Sequence, residues 1–190
     1  MQKGFTLAET LITMAVIGVI MALSIPAVIQ STNDTTPLLK RAYNSVEEVV
    51  NELINDTSMY PTGEFTSGDF CNNFFSKLNT IGYTATNCVN TFVDAIPGTP
   101  VATTSNAMRW YDLQNDFDTT QCDTADTGID TTINTCIRLS VDVNGANKGA
   151  NTNAAQANRD IFTIYITNNG KVTVKTIATN TYDEAYILQH

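Results

Sequence analysis

The chain has little of what most enzyme active sites use. Its only histidine is His190, at the end of the sequence, and its four cysteines include no C-x-x-C pair. No glycine-rich phosphate loop and no nucleophile–base pair stands out in the sequence. Histidine-based catalysis, a zinc site and thioredoxin-like chemistry are therefore poorly supported. We expect a protein that is not an enzyme, and the alternative is a site built from carboxylates alone.

Basic residues are also scarce. There are 10 Lys and Arg against 19 Asp and Glu, which gives a formal net charge of -9 and a sequence pI near 4.3. Such a surface repels phosphate backbones, so we expect no nucleic-acid partner. The same surface keeps an exported domain soluble and can attract cations.

Charge is missing altogether from one long segment near the N-terminus. No Asp, Glu, Lys or Arg occurs from Thr10 to Asn33. Residues 11–29 supply the roughly 20 apolar helical residues that cross a bilayer, and they show no polar face. We expect a helix that spans a membrane or is buried between like helices. Lys3 before this run predicts a cytoplasmic N-terminus and an exported remainder.

The first nine residues carry the most specific signal. The order Met-Gln-Lys-Gly-Phe-Thr-Leu-Ala-Glu, followed by the apolar run, resembles the leader and N-terminal helix of type IV pilins and type II secretion pseudopilins. The resemblance implies cleavage between Gly4 and Phe5 by a prepilin peptidase, and N-methylation of Phe5. It also implies a helix that is curved near a proline, here Pro26, and a register role for Glu9 during assembly.

Glu9 is costly at the edge of an apolar segment, so its default interpretation is functional. If the chain is cut after Gly4, the new amine of Phe5 lies four residues from Glu9, on the same helix face. The two charges can then neutralise each other, or the equivalent charges of a neighbouring subunit, when the helix enters a bundle. The alternative is that Glu9 merely reaches the lipid headgroups.

Two other interpretations of the N-terminal segment remain beside the pilin-type helix. One is an uncleaved single anchor. The other is an ordinary secretory signal, because residues 22–24 form a small-x-small cleavage pattern after an apolar stretch. Glu9 disfavours the secretory signal, since such signals carry positive or apolar residues at that place.

A second helical pattern follows the apolar run. Thr36 and Pro37 read as an N-cap and a proline at the first helical position. Beyond them, apolar residues recur at helical spacing and polar residues cover the opposite face. The stripe consists of Leu38, Leu39, Ala42, Tyr43, Val46, Val49, Val50, Leu53 and Ile54. We expect an amphipathic helix within residues 31–57 that packs on the exported head, residues 58–190.

The C-terminal half of the sequence reads as strands. Apolar and polar residues alternate over 137–143 and 162–167, and Asn169-Gly170 is a hairpin turn signal before 172–174. Residues 108–111 read as another strand. The sequence thus predicts an α+β fold in which a long N-terminal helix, half transmembrane and half amphipathic, packs on a small antiparallel β-sheet. The pilin resemblance implies the same architecture.

An even number of cysteines in an exported domain predicts disulfides. Three pairings are possible among Cys71, Cys88, Cys122 and Cys136, and we favour the two local pairs, Cys71–Cys88 and Cys122–Cys136. Each local pair closes a short loop and adds about 3 kcal/mol in the loop-entropy description. The alternative is free thiols in a reducing compartment, which conflicts with the leader.

Residues 137–174 loosely resemble the C-terminal segment of many pilin-like proteins, through Asp142-Val143-Asn144-Gly145, Lys148-Gly149 and Asn169-Gly170. Asp142, Asn144 and Asp160 offer oxygens that suit calcium, and related pseudopilins bind calcium in a C-terminal loop. The alternative is an Asx-turn between two strands. A second group of aspartates is expected to form a solvated loop; it comprises Asp112, Asp116, Asp118, Asp123, Asp126 and Asp130.

These features predict a pilin or minor pilin that is cut after residues 1–4 and polymerised through residues 5–30. Its expected partners are itself or related pilins, the prepilin peptidase, an inner-membrane assembly platform and the membrane. We expect a single-pass precursor in a bacterial inner membrane and a filament at the cell surface or in the periplasm. The alternatives are a type II secretion pseudopilin and a membrane-anchored surface binding protein that does not polymerise.

Overall fold

The computed structural model divides the chain into two compact units, Met1–Asp34 and Thr35–His190. The structure describes residues 7–30, 35–66, 68–83, 88, 99–111, 116–119, 122, 127–145, 148–149, 159–175 and 183–189.

The first unit contains helix α1, Leu7–Gln30. Glu9 is in its first turn, and Pro26 lies within the helix. The side chains of residues 7–19 are all exposed, although most of them are apolar. No helix in the described part of the chain has both the length and the apolar character that a membrane span requires. The transmembrane part of the predicted fold is therefore not supported, whereas the N-terminal helix itself is present.

The second unit begins with helix α2, Thr36–Ile54, and the expected apolar stripe faces its core. The buried members are Leu39, Ala42, Val46, Val49, Val50 and Leu53. The start differs from the prediction by one residue, because Thr35 occupies the N-cap position and Pro37 lies in the first turn. The Thr35 hydroxyl does not cap the helix but donates to the Arg159 carbonyl oxygen at 3.1 Å. Helix α2 also ends slightly earlier than expected, at Ile54.

Six strands form one antiparallel sheet in sequence order within the described residues. They are β1 Thr80–Tyr83, β2 Ala102–Thr104, β3 Arg109–Tyr111, β4 Cys136–Asp142, β5 Ile161–Thr167 and β6 Val172–Thr173. The β4–β5 pair has the longest register, from Cys136 opposite Thr167 to Asp142 opposite Ile161. The antiparallel meander and the α+β class predicted from the sequence are confirmed.

The β5–β6 turn lies against the end of α2. Gly170 has a φ of 81°, and a Cβ atom at this position would lie 2.8 Å from Cδ1 of Ile54. Glycine therefore serves the turn conformation and also allows the close approach to the helix. This contact is one reason why the amphipathic helix and the hairpin form a single core.

The described part of the second unit also contains two short helices, α3 Phe70–Lys77 and α4 Glu184–Gln189. Helix α3 contributes Phe70, Phe74 and Phe75 to an aromatic part of the core. The Phe65 ring lies 4.9 Å from the Tyr60 ring and 4.8 Å from the Phe70 ring, in edge-to-face arrangements. Such ring pairs add about 1 kcal/mol beyond the area that they bury.

Both faces of the β4–β5 pair are buried, which the alternating pattern did not predict. The polar face of this pair includes Ser140 and Asp142, each 1% exposed. Part of the same pair is covered by a second small cluster, Cys122, Ile129, Cys136 and Tyr165. The covering segment is the part of the chain that carries Cys122 and Ile129. Asp118, shortly before it, pairs with Cys136 of β4 as an isolated bridge. The apolar face of these two strands is as expected, but their polar face is buried as well.

Candidate functional site

Asp142 and Asp160 lie at the same end of the β4–β5 pair. Asp142 is the last residue of β4, and Asp160 directly precedes β5. The Val143 amide donates to the Asp160 carbonyl oxygen at 3.0 Å, which extends the pairing past the ends of both strands. Asp142 is 1% exposed and Asp160 is fully buried. The fold thus places two carboxylates side by side away from water.

The Asp142 carboxylate is only partly satisfied. Its Oδ1 atom accepts hydrogen bonds from the amides of Asn144, at 3.2 Å, and Gly145, at 2.8 Å. Its Oδ2 atom is buried and has no hydrogen-bond partner among the described residues, and the same is true of Oδ1 of Asn144. An unsatisfied buried polar atom costs about 1–3 kcal/mol, and more when it is charged. Two such oxygens at one place indicate an environment suited to a cation.

The electrostatics of Asp142 agree with its hydrogen bonding. Burial, as the largest cause, and the nearby charge of Asp160 raise the pKa of the Asp142 carboxyl. The Gly145 and Asn144 amides and the charge of Arg109 act in the opposite direction but do not cancel the rise. The carboxylate form of Asp142 therefore lacks sufficient stabilisation from the protein groups around it.

The side chains of Asn144 and Asp160 both lie close to Gly149. Gly149 has a φ of 71°, and a Cβ atom there would overlap Oδ2 of Asp160 and lie 2.6 Å from Nδ2 of Asn144. Only glycine lets the chain pass this close to the two side chains. The three predicted calcium ligands, Asp142, Asn144 and Asp160, thus lie at one end of the hairpin. We call these three residues the candidate cation site.

The composition of the candidate cation site suits a hard cation. It supplies carboxylate and amide oxygens, which are the ligands that calcium prefers. No group of three or more His, Cys, Asp or Glu residues that could hold a metal occurs among the described residues. The site therefore has two carboxylates and one amide, and further oxygens would have to come from backbone carbonyls or water. Residues 146–147 and 150–158 of the same loop lie outside the described residues.

The structure also contains the Asx-turn, because the Asp142 carboxylate accepts hydrogen bonds from the amides of Asn144 and Gly145. That turn uses one carboxylate oxygen and leaves the other oxygen unexplained.

In the second group of aspartates, Asp130 is exposed and accepts from the Thr132 amide and hydroxyl at 2.9 and 2.6 Å. These bonds lower the pKa of Asp130. Asp112, Asp123 and Asp126 lie outside the described residues.

Both disulfides are present, and they join Cys71 to Cys88 and Cys122 to Cys136. The paired residues are 17 and 14 positions apart, with Cα atoms separated by 6.0 and 5.3 Å. These are the local pairs favoured by the sequence. The second disulfide anchors the covering segment to the first residue of β4.

Sequence reasoning missed a buried ion pair. Arg159 Nη2 lies 2.6 Å from Oε1 of Glu184 in α4, and both residues are buried. Glu184 also accepts from the Thr163 amide at 3.0 Å, and Arg159 Nε donates to the Ile161 carbonyl at 3.0 Å. Strand β6 pairs with β5 at Tyr165 and Ile166 only. The Arg159 and Glu184 side chains therefore bond to the backbone groups of β5 that β6 does not reach. In the sequence, only the adjacent acidic residues Asp183 and Glu184 could have indicated this ion pair.

The N-terminal residues form the other candidate site. Glu9 is exposed in the first turn of α1, and Pro26 lies further along the same helix. Gly4 and Phe5, the predicted cleavage and methylation positions, lie outside the described residues. Residues 1–25 match the prokaryotic N-terminal methylation motif. The chain carries a prepilin-type signal.

The match ends at residue 25 and does not extend to the head. No curated protein and no solved structure matches the chain. The prepilin-type signal is that of type IV pilins and pseudopilins, which are substrates of prepilin peptidase. A function for the head therefore rests on the head's own residues.

Proposed function

We propose that this protein is a structural subunit, a pilin or minor pilin, of a type IV pilus-like filament. The observation that carries the proposal is the N-terminal methylation motif at residues 1–25. It combines Gly4, Phe5 and Glu9 with a charge-free segment. Prepilin peptidase cuts after Gly4, and the new N-terminus at Phe5 is methylated.

Glu9 has the central role in assembly. After cleavage, the Phe5 amine and the Glu9 carboxylate are four residues apart and share a helix face. A carboxylate that enters an apolar bundle without a partner is penalised by several kcal/mol, so pairing favours one register of insertion. Glu9 therefore selects how far each subunit slides along its neighbours.

The remainder of α1 supplies the apolar surface for polymerisation. Leu7, Leu11, Met14 and Val19 are each 60% or more exposed in the single chain. Large exposed apolar surfaces mark contacts with membranes or with other proteins. In this proposal the precursor is held at the inner membrane by α1, and the same side chains are buried between copies in the filament.

The head has a structural rather than a catalytic role in this proposal. Its only histidine is His190, and its sequence offers no nucleophile–base pair. The partners are copies of this chain or related pilins, the prepilin peptidase and an assembly platform. The two alternatives are a pseudopilin of a type II secretion system and a membrane-anchored surface binding protein that does not polymerise.

Mass spectrometry of the N-terminal peptide tests the proposal. The peptide is compared between material sheared from the cell surface and the membrane fraction. A methylated Phe5 start in the sheared fraction supports a surface pilus subunit. The same start confined to membranes supports the pseudopilin, and an intact Met1 start in both fractions overturns the proposal.

We also propose that the head binds calcium at the candidate cation site. The specific support is a pair of buried oxygens, Oδ2 of Asp142 and Oδ1 of Asn144, that have no hydrogen-bond partner in the part of the chain that the structure describes. Asp142, Asn144 and Asp160 would hold the ion, and its positive charge would neutralise two buried carboxylates. Calcium would thereby stabilise the junction of β4 and β5.

Thermal unfolding of the full chain in detergent tests calcium binding. Calcium should raise the melting temperature and a chelator should lower it, whereas Asp160→Asn should remove the response. Magnesium serves as the matched ion, because it demands shorter, near-octahedral coordination. An identical melting temperature with calcium and with chelator would refute this part of the proposal.

A further inference from the structure

The backbone is fixed on both sides of the buried residue Asp160. Before it, the Arg159 carbonyl oxygen accepts a hydrogen bond from the Thr35 hydroxyl at 3.1 Å. After it, the Ile161 carbonyl oxygen accepts from Nε of Arg159 at 3.0 Å. The Arg159 side chain therefore reaches past Asp160 and closes a loop from the residue before it to the residue after it. We call this loop the Arg159 clamp.

The guanidinium group of the clamp is anchored in helix α4. Nη2 of Arg159 lies 2.6 Å from Oε1 of Glu184, and Nη1 lies 3.2 Å from Oε2. Such a bidentate pair fixes the orientation of the guanidinium as well as its distance. The Thr163 amide donates to the same Oε1 atom at 3.0 Å, so that Glu184 is also attached to β5. The backbone position of Asp160 thus depends on a helix that is distant in the sequence.

The side chain of Asp160 belongs to the candidate cation site. Its carboxylate lies beside Gly149, where an added Cβ atom would overlap Oδ2. The Asp160 carbonyl oxygen accepts from the Val143 amide at 3.0 Å, next to Asp142 at the end of β4. Metal ligands are usually oriented by groups behind them, and loss of such a group weakens metal binding about 10–100-fold. The Arg159 clamp occupies that place behind Asp160.

We propose that Arg159 and Glu184 are positioning residues of the candidate cation site, which hold Asp160 in the orientation that calcium requires. The inference rests on the proposed calcium binding and extends it to the C-terminal helix. The two residues act through Asp160 and do not contact the ion. Because coupling between two sites is reciprocal, the ion pair strengthens calcium binding and calcium strengthens the attachment of α4.

The calcium affinity of the full chain in detergent, measured by isothermal titration calorimetry, tests this inference. Glu184→Gln and Arg159→Lys should each bind calcium about 10–100-fold more weakly than the wild type. Lysine keeps a positive charge beside Glu184 but lacks the planar fork that binds Glu184 and the Ile161 carbonyl together. Arg159→Lys is the milder change if Glu184→Gln does not fold, and Trp110 fluorescence verifies the fold of each variant.

Two further variants separate positioning from general stability. Arg159→Met/Glu184→Leu should recover much of the stability that Glu184→Gln loses, because neither charge is left buried alone. It should not recover the calcium affinity, because the clamp around Asp160 is absent. Cys71→Ser/Cys88→Ser is the matched control, since Cys71 lies in α3 and the pair closes a different loop. It should lower stability and leave the calcium affinity unchanged.

Backbone amide hydrogen exchange is the second measurement. Calcium should slow exchange in α4 and at the Thr163 amide more than in α3, and equal slowing in the two helices overturns the inference. It is also overturned by wild-type affinity in both Glu184→Gln and Arg159→Lys, or by a combined variant that recovers affinity together with stability. In each of these cases calcium binding itself stands. A wild-type chain without any calcium response refutes the calcium proposal, and this inference with it.

Discussion

Arg159 and Glu184 form a buried ion pair with two contacts, in which Nη2 lies 2.6 Å from Oε1 and Nη1 lies 3.2 Å from Oε2. The guanidinium also stacks over the Phe162 ring at 5.0 Å and lies 4.0 Å from the Asp183 carboxylate. These contacts connect α4 to the uncovered edge of β5. The C-terminal helix thus protects a strand edge that could otherwise pair with another chain.

Removal of one partner of this pair should destabilise the head strongly. Glu184→Gln leaves the Arg159 charge buried, and the expected loss is about 3–5 kcal/mol of unfolding free energy. The combined variant Arg159→Met/Glu184→Leu should lose less, because neither member of the pair is left buried without the other. Denaturant unfolding followed by the fluorescence of Trp110, the sole tryptophan, measures both values. A loss below about 1 kcal/mol for Glu184→Gln would contradict the burial of the pair.

Gly149→Ala should disturb the candidate cation site. The added methyl group would overlap the Asp160 carboxylate, in addition to the cost of about 1–2 kcal/mol for a left-handed alanine. Gly63→Ala is a matched control, since Gly63 has a φ of 70° and nothing within 4 Å of the added Cβ. We expect Gly149→Ala to lose more stability than Gly63→Ala and to abolish the calcium-dependent rise in melting temperature. Equal losses and equal calcium responses would place Gly149 outside the site.

Glu9→Ala should separate processing from assembly. Cleavage after Gly4 should continue, because the cut is four residues from the altered side chain, whereas filament incorporation should be abolished. Thr13→Ala is the control, since the Thr13 hydroxyl donates to the Thr10 carbonyl oxygen of the same helix and carries no charge. Immunoblots of the sheared and membrane fractions measure both steps. Filaments at the normal level from Glu9→Ala would show that the carboxylate has no assembly role.

The two disulfides should contribute separately to stability. Replacement of both Cys122 and Cys136 by serine should cost about 3 kcal/mol and loosen the segment that covers β4. Replacement of Cys71 and Cys88 should cost a similar amount, because the two loops have similar lengths. Denaturant unfolding gives the free energies, and a non-reducing peptide map gives the pairing. A peptide that joins Cys88 to Cys122 would contradict the structure.

Tyr43 should make the head sensitive to high pH. Its hydroxyl donates to the Val172 carbonyl at 3.0 Å, and its pKa is raised from 10.0 to about 12. The folded state therefore favours the neutral phenol, and this contribution is complete below pH 10 and lost as the pH rises through about 12. Melting temperatures over this range should fall more steeply for the wild type than for Tyr43→Phe. Parallel slopes for the two proteins would refute the assignment to Tyr43.

Much of the head follows from local sequence patterns. The stripe on α2 and the β4–β5–β6 meander were predicted because helical and strand periodicities depend only on neighbouring residues. The Asn169-Gly170 signal placed the turn between β5 and β6, and a strand at 108–111 appears as Arg109–Tyr111. In contrast, α3, β1, β2 and α4 were not predicted. Their short segments carry too few turns or alternations for a periodic signal.

The candidate cation site was only partly visible in the sequence. Oxygen-bearing residues and their order around the β4–β5 loop identified Asp142, Asn144 and Asp160. The role of Gly149 became visible only from its close approach to the Asp160 carboxylate, because Gly149 and Asp160 are eleven positions apart in the sequence. The unsatisfied oxygens likewise appear only when burial and every neighbouring donor are known.

The sequence by itself determined the prepilin-type signal, the charge-free N-terminal helix and the two periodic segments of the head. Each of these is encoded by residues that are close together along the chain. Only the tertiary structure decided the ion pair of Arg159 with Glu184 and the burial of both faces of β4 and β5. These features join residues that are distant in sequence, and no local pattern specifies which distant groups will meet once the core excludes water.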